Sequence, residues 1–200
     1  MKTLYGEDLV TELRNNSDSI KKRLWISVPF IGGLESVRRI IGRTWIDNPN
    51  LSIRLLTDIN EFNNFSSDTI KLFGKLGEIR HLPGLHAKIY VTDNSCLVTS
   101  ANLTNTAFAK RHEIGIFLDS LEGSTAILVF ESWWEKSQKV SLKKLTPLII
   151  RTHESSDESQ YFDLTTIWKL PVERKISYKN KSVYGSDYGN DFYYVNVGAT

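Results

Sequence analysis

The sequence predicts an α/β protein built on a mixed β-sheet that is covered by helices. Helical and strand-like patterns alternate through the first part of the chain, which favours parallel strands joined by helices. The later strands are joined by connections of about two residues, and connections that short require antiparallel pairing. A chain of 200 residues with 40% hydrophobic and 24% charged residues has an ordinary globular composition and can bury one sizeable core.

In the first part of the chain, helices are recognised by apolar residues on one side, and strands by short apolar runs. We expect a helix over residues 6–14, a strand over 23–31, a helix over 34–45, a strand over 51–57, a helix over 68–75 and a strand over 78–82. Two glycines at 32–33 end the first strand, and an Asn-Pro-Asn turn occupies 48–50. Ser66 or Ser67 is suited to cap the third helix, and Gly77 to close it.

The remaining elements are shorter and closer together. We expect strands over residues 87–91, 96–101 and 112–118, a short helical or irregular segment after residue 102, and a helix over 124–134. Asp93 and Asn94 form the turn between the first two of these strands.

Residues 1–150 are expected to form the main domain, and residues 151–200 a C-terminal extension or the start of a further domain. The second segment is rich in tyrosine, with lysine and arginine interleaved. Such side chains suit stacking on nucleic-acid bases, although a small irregular β-module is the simpler interpretation. The chain stops on a strand-like apolar run at 192–197, as a fragment of a longer protein would.

Composition sets limits on the class of protein. The net charge of +2 permits a polyanionic partner without requiring one. The single cysteine, Cys96, excludes an intrachain disulfide and a cysteine-rich zinc site. No signal-peptide core and no run of about 18 apolar residues is present, so we expect a cytoplasmic protein without stable membrane association.

One block, LHAKIYVTDNSCLVTSANLTNTAFAKRHE at residues 85–113, concentrates the polar residues that suggest chemistry. His86 and Lys88 are two apart on one predicted strand, and Ser100 and Asn102 are two apart at the end of the next. Strand residues two apart point to the same face of a sheet. We therefore expect these four side chains to converge at one edge of the sheet.

This set of side chains suits attack on a phosphodiester. Lys88 and Asn102 can bind the non-bridging oxygens on which negative charge develops, and Ser100 can add or orient a donor. A neutral His86 can attack phosphorus if a carboxylate holds its other ring nitrogen, and Glu113 on the following strand is the candidate for that role. A second histidine would then protonate the leaving oxygen.

The spacing of His86, Lys88 and Asp93, followed by Ser100 and Asn102, resembles the H-x-K-x4-D and S-x-N signature of the phospholipase D superfamily. The blocks WISVPFIGG, IRLLTD and EIRHLPGLHAKIY also resemble the strands that lead into the motif in that superfamily. Together these features form a specific signature, whereas H-x-K alone would be weak.

The resemblance implies an α-β-α sandwich, a covalent phosphohistidine intermediate on His86, and no requirement for a metal or another cofactor. Asp93 belongs to the signature, but its position in a turn favours a structural role. Thr99 stands where the family usually has glycine, and this predicts a tighter approach of the substrate.

Only one copy of the motif is present. Single-copy members of the superfamily form homodimers with the active site at the interface, so the resemblance implies that two copies of His86 face each other. The small nucleases and the metal-independent restriction endonucleases of the superfamily look most similar. We therefore expect a homodimeric endonuclease that cuts DNA, or alternatively RNA, in restriction or phage defence. Lys110 and Arg111 lie near the motif and are candidates for contacts with the nucleic-acid backbone.

Two other functions stay open. A phospholipid phosphodiesterase would use the same His86 and predicts an apolar or amphipathic surface near the site. A non-catalytic nucleic-acid-binding subunit would keep the fold without needing the full set of polar residues. Outside the motif, Arg38, Arg39 and Arg43 are interpreted as a solvated helix face, with phosphate contact as the alternative.

Overall fold

The computed structural model describes one part of the chain in full and another by its backbone. Side chains are described for residues 1–60 and 65–141, and backbone alone for 174–178, 181–185, 187–188, 191–192 and 195–196. The chain divides into two compact units, Met1–His153 and Glu154–Thr200. The predicted domain boundary at 150–151 lies outside the described residues.

The first unit contains one eight-stranded mixed sheet with the strand order β1-β7-β6-β5-β2-β3-β4-β8. Strands β2, β3 and β4 run parallel to one another, and every other neighbouring pair is antiparallel. The elements are β1 (Lys2–Tyr5), α1 (Gly6–Asp18), β2 (Arg23–Ser27), α2 (Leu34–Ile41), α3 (Thr44–Asp47), β3 (Ser52–Thr57), α4 (Ser67–Leu76), β4 (Glu78–His81), β5 (Ile89–Val91), β6 (Ser95–Thr99), α5 (Asn105–Lys110), β7 (Ile114–Asp119), α6 (Ser124–Lys136) and β8 (Gln138–Lys139).

Two hydrophobic layers lie on opposite faces of this sheet. Within β2, Leu24 and Ile26 pack into the larger core beneath α1, α2, α4 and α5, whereas Trp25 packs into the smaller core beneath α6. The alternation follows from the two-residue period of a strand. In the smaller core, the ring of Phe130 stacks on Trp25 at 5.7 Å and on Trp134 at 6.0 Å between centroids. The predicted α/β class, mixed sheet and α-β-α sandwich are confirmed.

The predicted helix over residues 34–45 is in fact two helices, because the chain turns sharply at Gly42. The backbone of Gly42 has a φ of 70°, which side-chain-bearing residues rarely adopt. A Cβ atom there would lie 1.8 Å from a carboxylate oxygen of Asp18. The turn redirects the chain into α3, where Trp45 is fully buried and stacks on Phe73 at 4.5 Å between ring centroids.

Several predicted boundaries differ from those in the structure. The first helix extends beyond residue 14 to Asp18, the strand predicted over 23–31 ends at Ser27, and the strand predicted over 87–91 begins only at Ile89. Strands β1 and β8 were not predicted. They pair with β7 and β4, which are remote in the chain, so the local sequence carries little signal for them.

The second unit contains the strands β9 (Arg174–Tyr178), β10 (Lys181–Gly185), β11 (Asp187–Tyr188), β12 (Asp191–Phe192) and β13 (Val195–Asn196). Strands β13, β10 and β9 form an antiparallel sheet, and β11 pairs with β12. The side chains proposed to stack on bases lie outside the residues whose side chains are described. Within residues 1–60 and 65–141, no helix has the length and apolar character needed to cross a bilayer.

Candidate active site

His86 and Lys88 lie in an extended segment that leads directly into β5. Both residues were predicted to lie on the strand, but β5 begins only at Ile89, after them. The Lys88 carbonyl nevertheless accepts a hydrogen bond from the Thr99 amide at 3.1 Å, which holds this segment beside the end of β6. The backbone therefore places the two halves of the motif side by side, and the convergence of their four side chains stays a prediction.

The Lys88 ammonium group is directed at His86. Its Nζ atom donates to the His86 carbonyl at 2.7 Å and lies 3.1 Å from Nδ1 of the imidazole. Lys88 is 8% exposed, whereas His86 is open to solvent and meets the edge of the Phe30 ring. A buried cation thus lies beside an accessible imidazole, and this pair can offer positive charge and a ring nitrogen to an anionic ligand.

The charge on Lys88 is tuned by its surroundings. Burial lowers the pKa of the Lys88 ammonium below the usual lysine range, because desolvation disfavours the charged form. The negative charge of Glu113 acts in the opposite direction and raises it. Glu113 is therefore close enough to influence Lys88 electrostatically.

Ser100 and Glu113 are held together where β6 ends and β7 begins. The Ser100 hydroxyl donates to the Glu113 carboxylate and accepts from the Ile114 amide at 3.2 Å, while the Ser100 amide donates to the Ile114 carbonyl at 3.1 Å. The described residues contain no hydrogen bond between Glu113 and His86. The orienting role that the sequence assigns to Glu113 therefore stays a prediction.

Asn102 presents an amide with unused hydrogen-bonding capacity. The residue is 8% exposed, and its Oδ1 atom has no hydrogen-bond partner among the described residues. Helix α5 is capped by Thr104 and not by Asn102, since the Thr104 hydroxyl accepts from the Ala107 amide at 3.2 Å. The buried Oδ1 atom can accept from a donor of a ligand, while the amide nitrogen is the group able to donate to phosphate oxygens.

Tyr90 is a supporting residue that the sequence analysis missed. It is fully buried, and its hydroxyl donates to the Ala101 carbonyl at 3.0 Å, inside the S-x-N segment. Burial, with a further contribution from the negative charge of Glu113, raises the pKa of the Tyr90 phenol well above its usual range. The available signal was its position, two residues after Lys88 and therefore on the same strand face.

Asp58 organises the turn that leads into the motif, and it was also missed. Its carboxylate accepts from the Gly84 amide at 2.6 Å and from the Asn60 amide at 2.9 Å. His81 lies 3.4 Å from the same carboxylate and accepts from the Ile59 amide at 3.1 Å. Gly84 adopts a φ of 75°, which redirects the chain towards His86.

Asp93 lies at the opposite end of the sheet from His86. Its carboxylate accepts from the backbone amides of Lys21, Lys22 and Arg23 at distances of 2.7 to 3.1 Å. Burial alone would raise the pKa of Asp93, but these amide donors outweigh it and hold the pKa below the usual aspartate range. The geometry fits the structural role that we expected for this residue.

Lys110 and Arg111 are exposed at the end of α5, and no contact within the described residues fixes their side chains. Thr99, which replaces the glycine usual at this position, donates its hydroxyl hydrogen to the Ile114 carbonyl at 2.7 Å. The hydroxyl thereby ties β6 to β7. The roles of Lys110 and Arg111 towards nucleic acid, and of Thr99 towards substrate, stay predictions.

Comparison with known protein families supports this reading of the motif. A family model described as Cardiolipin synthase, PLD-like domain, matches residues 13–134, which is more than half of the chain. No curated protein sequence matches the chain.

Solved structures with the same fold include NucT from Helicobacter pylori, at 16% identity and a TM-score of 0.59, covering 70% of this chain and 98% of that one. Nuc from Salmonella typhimurium, a phospholipase D family member, aligns at 11% identity and a TM-score of 0.56 over the same shares of each chain. Phosphatidylserine synthase from Haemophilus influenzae aligns at 12% identity and a TM-score of 0.60, covering 84% of this chain and 47% of that one. At these identities the likeness concerns the fold.

Proposed function

The chain belongs to the family of phospholipase D-like domains, and on this premise we propose that it is a metal-independent endonuclease that cleaves DNA through His86. The observation that carries the proposal is the buried Lys88 ammonium, 3.1 Å from Nδ1 of an exposed imidazole. A role in restriction or phage defence is part of the proposal and rests on analogy with the nucleases of this superfamily.

The phosphate would be bound by the groups around His86. Lys88 supplies positive charge and Asn102 an amide donor to the non-bridging oxygens, where negative charge grows in the transition state. Ser100 contributes through its hydrogen bond to Glu113, which sets the direction of the hydroxyl. Exposed Lys110 and Arg111 would contact the backbone on either side of the scissile bond.

The reaction proceeds in two displacements at phosphorus. A ring nitrogen of His86 forms a bond to phosphorus while the bond from phosphorus to the leaving oxygen breaks, and a second histidine gives its proton to that oxygen. Water then attacks the phosphohistidine, passes its proton to the second histidine, and the phosphorus–nitrogen bond breaks. Both histidines return to their starting states.

A second copy of the chain is proposed to supply the second histidine. Beside Ser100 and Glu113, one sheet face exposes an apolar patch formed by Tyr5, Val98, Ile114 and Ile116. The patch is continuous across three strands, since Val98 pairs with Ile116 and Tyr5 with Ile114. Exposed apolar surface of this kind marks interaction sites.

The same arrangement would provide a carboxylate for His86. Within one chain Glu113 is bonded to Ser100, and His86 lacks an orienting carboxylate among the described residues. The Lys88 ammonium can only donate a hydrogen bond to Nδ1, so it cannot hold a proton on that nitrogen. Fixing the tautomer with the proton on Nδ1 therefore requires an acceptor from another residue. Glu113 of the second copy is the proposed source of that carboxylate.

The test is cleavage of plasmid and single-stranded DNA in excess EDTA, by the wild type beside His86→Ala. We expect cutting by the wild type alone, with thermal melting showing that the variant is folded. Equal cutting by both proteins would refute the proposed nucleophile, and cutting only after Mg²⁺ is added would refute metal independence.

A phospholipid substrate is the second candidate, because the description of the matching family names cardiolipin synthase. Release of a headgroup from anionic phospholipid vesicles by the wild type, without DNA cleavage, would replace the nuclease proposal. A chain that binds DNA and hydrolyses neither substrate would be a non-catalytic binding subunit.

A further inference from the structure

We propose that a cleft lined by arginines binds the phosphate backbone of nucleic acid beyond the candidate active site; this inference rests on the proposed function. The cleft has a volume of about 610 Å³ and lies where α1, α2 and α5 meet. This arginine cleft is lined by Arg14, Arg38, Arg39 and Arg43, together with Glu35 and Asn105. The sequence alone favoured a solvated face for Arg38, Arg39 and Arg43, with phosphate contact as the alternative, and the cleft favours that alternative.

Arg14 builds one wall of the cleft. Its Nη1 atom donates to the Arg38 carbonyl at 3.0 Å and to the Arg39 carbonyl at 2.9 Å, and its Nε atom donates to Asp18 at 2.6 Å. These bonds satisfy carbonyls at the C-terminal end of α2 and join that helix to α1. Arg14 is therefore a fixed part of the wall.

The other guanidinium groups leave an excess of positive charge. Glu35 approaches Arg38 at 3.9 Å through a side chain that is 91% exposed, so this pair is weak. Arg39 donates to the Asn105 side chain at 3.2 Å. In the part of the chain that the structure describes, neither Arg39 nor Arg43 has a carboxylate within ion-pair distance. A chain with a net charge of only +2 thus concentrates cations at one place.

Arg38 adds a second observation that indicates an anionic ligand. Its Nε atom is buried and has no hydrogen-bond acceptor among the described residues. A buried guanidinium donor without an acceptor is costly, and ionised donors favour phosphate and carboxylate oxygens. The residues lining the cleft are all polar or charged, which suits a phosphate backbone better than the acyl part of a lipid.

The chain segments that line the cleft are joined to those of the candidate active site. Asn105 follows the site residue Asn102 by three positions, and the Gly32 amide, just before α2, donates to the Leu103 carbonyl at 2.8 Å. Helix α2 has eight residues and is therefore about 12 Å long. Phosphates of one duplex strand rise by about 3.4 Å each, so this length faces roughly three phosphates.

The test measures binding rather than turnover, so that it stands apart from the nuclease assay. In a full-length His86→Ala background, Arg39→Gln/Arg43→Gln is compared with Lys21→Gln/Lys136→Gln, which removes two exposed cations elsewhere. The probe is a long fluorescent single-stranded oligonucleotide, titrated at several salt concentrations in EDTA, with thermal melting as the check on folding. Arg14 stays intact because it joins α1 to α2, and Arg38 stays intact because its Nε atom is buried.

We expect the arginine pair to raise the Kd about tenfold and to reduce the slope of log K against log salt by about 1.4, since each single-strand phosphate contact contributes about 0.7. The lysine pair should change neither quantity. The proposal is overturned if the arginine variant binds as tightly as its parent, or if both pairs lose the same affinity. It is also overturned if the arginines govern binding to anionic phospholipid vesicles and not to the oligonucleotide. Binding lost in the arginine variant supports the cleft even if the wild type never cuts DNA.

Discussion

The hydroxyl of Ser100 donates a hydrogen bond to the carboxylate of Glu113, across the gap between the end of β6 and the start of β7. The two side chains therefore act as one unit in the candidate site. The same carboxylate influences the pKa values of Lys88 and Tyr90, so its effect reaches across the motif.

The first prediction concerns this unit. Glu113→Gln should preserve folding and slow DNA cleavage, because the carboxylate is lost while the side-chain shape is kept. Ser100→Ala should also slow cleavage, and the double variant should lose less than the product of the two single losses. The measurement is kcat/KM for the four proteins. Losses that multiply would show that the two residues act independently.

Removing a phosphate-binding donor should be more damaging. Lys88→Ala or Asn102→Ala should reduce kcat on the order of 10²-fold or more, the scale of losing one preorganised donor. Asn94→Ala provides a matched control, because Asn94 is exposed in the turn at the other end of the sheet. An Asn102→Ala variant as fast as this control would remove Asn102 from the proposed site.

The pH dependence should report on Lys88. Its pKa is lowered by burial, so the charged form needed for phosphate binding is lost as the pH rises, at values below the usual lysine range. Lys88→Arg keeps its charge to higher pH, because guanidinium does not deprotonate in proteins. We therefore expect the alkaline fall of kcat/KM to move upward in that variant. An unchanged alkaline limb would assign the fall to another group.

Asp93→Asn should affect stability rather than chemistry. The folded pKa of Asp93 is depressed, so its stabilisation is present above the usual aspartate pKa and is lost as the pH falls through the folded value. We expect the variant to lose about 1–3 kcal/mol of unfolding free energy at neutral pH, and less in acid. Denaturant unfolding at both pH values measures this. Unchanged stability with lost cleavage would instead place Asp93 in the reaction.

The dimer prediction uses the apolar patch. Ile116 is 41% exposed on β7, and Ile116→Glu should split the proposed homodimer because a charge would enter the proposed interface. Leu128→Glu is the control, since Leu128 is 64% exposed on the outer side of α6. Sedimentation equilibrium measures the mass and the EDTA cleavage assay the activity. A dimer that survives Ile116→Glu would exclude this patch as the interface.

Much of the fold was predictable because it is local. Apolar periodicity identified the helices and buried strands, and connection lengths separated the parallel strands from the antiparallel ones. The family model confirms the resemblance to the phospholipase D superfamily. Missed features depend on remote contacts: β1 pairs with β7, and a side chain at Gly42, where the chain turns, would collide with Asp18 of α1.

In the candidate site, too, the features set by local sequence were predictable and those set by remote contacts were not. The spacing of His86 and Lys88 is enough to recognise them as motif residues. The turn that precedes them is held by Asp58 through the Gly84 amide, and this contact is remote in the sequence. Thr104, and not Asn102, caps α5 through its hydroxyl, and the spacing of Ser100 and Asn102 does not reveal where that helix begins. Tyr90 and Asp58 were overlooked because they act through hydrogen bonds to the backbone of Ala101 and Gly84, which the sequence does not show.

The pairing of β1 with β7 also sets the order in which the protein can be completed on the ribosome. Lys2 pairs with Phe117, so β1 emerges from the exit tunnel long before the strand with which it pairs has been synthesised. Until then its backbone amides and carbonyls lack that partner strand and are available to other chains or to chaperones. We therefore expect β1 to join the sheet only after β7 has emerged, and substitutions in β1 to reduce the yield of folded protein more than its final activity.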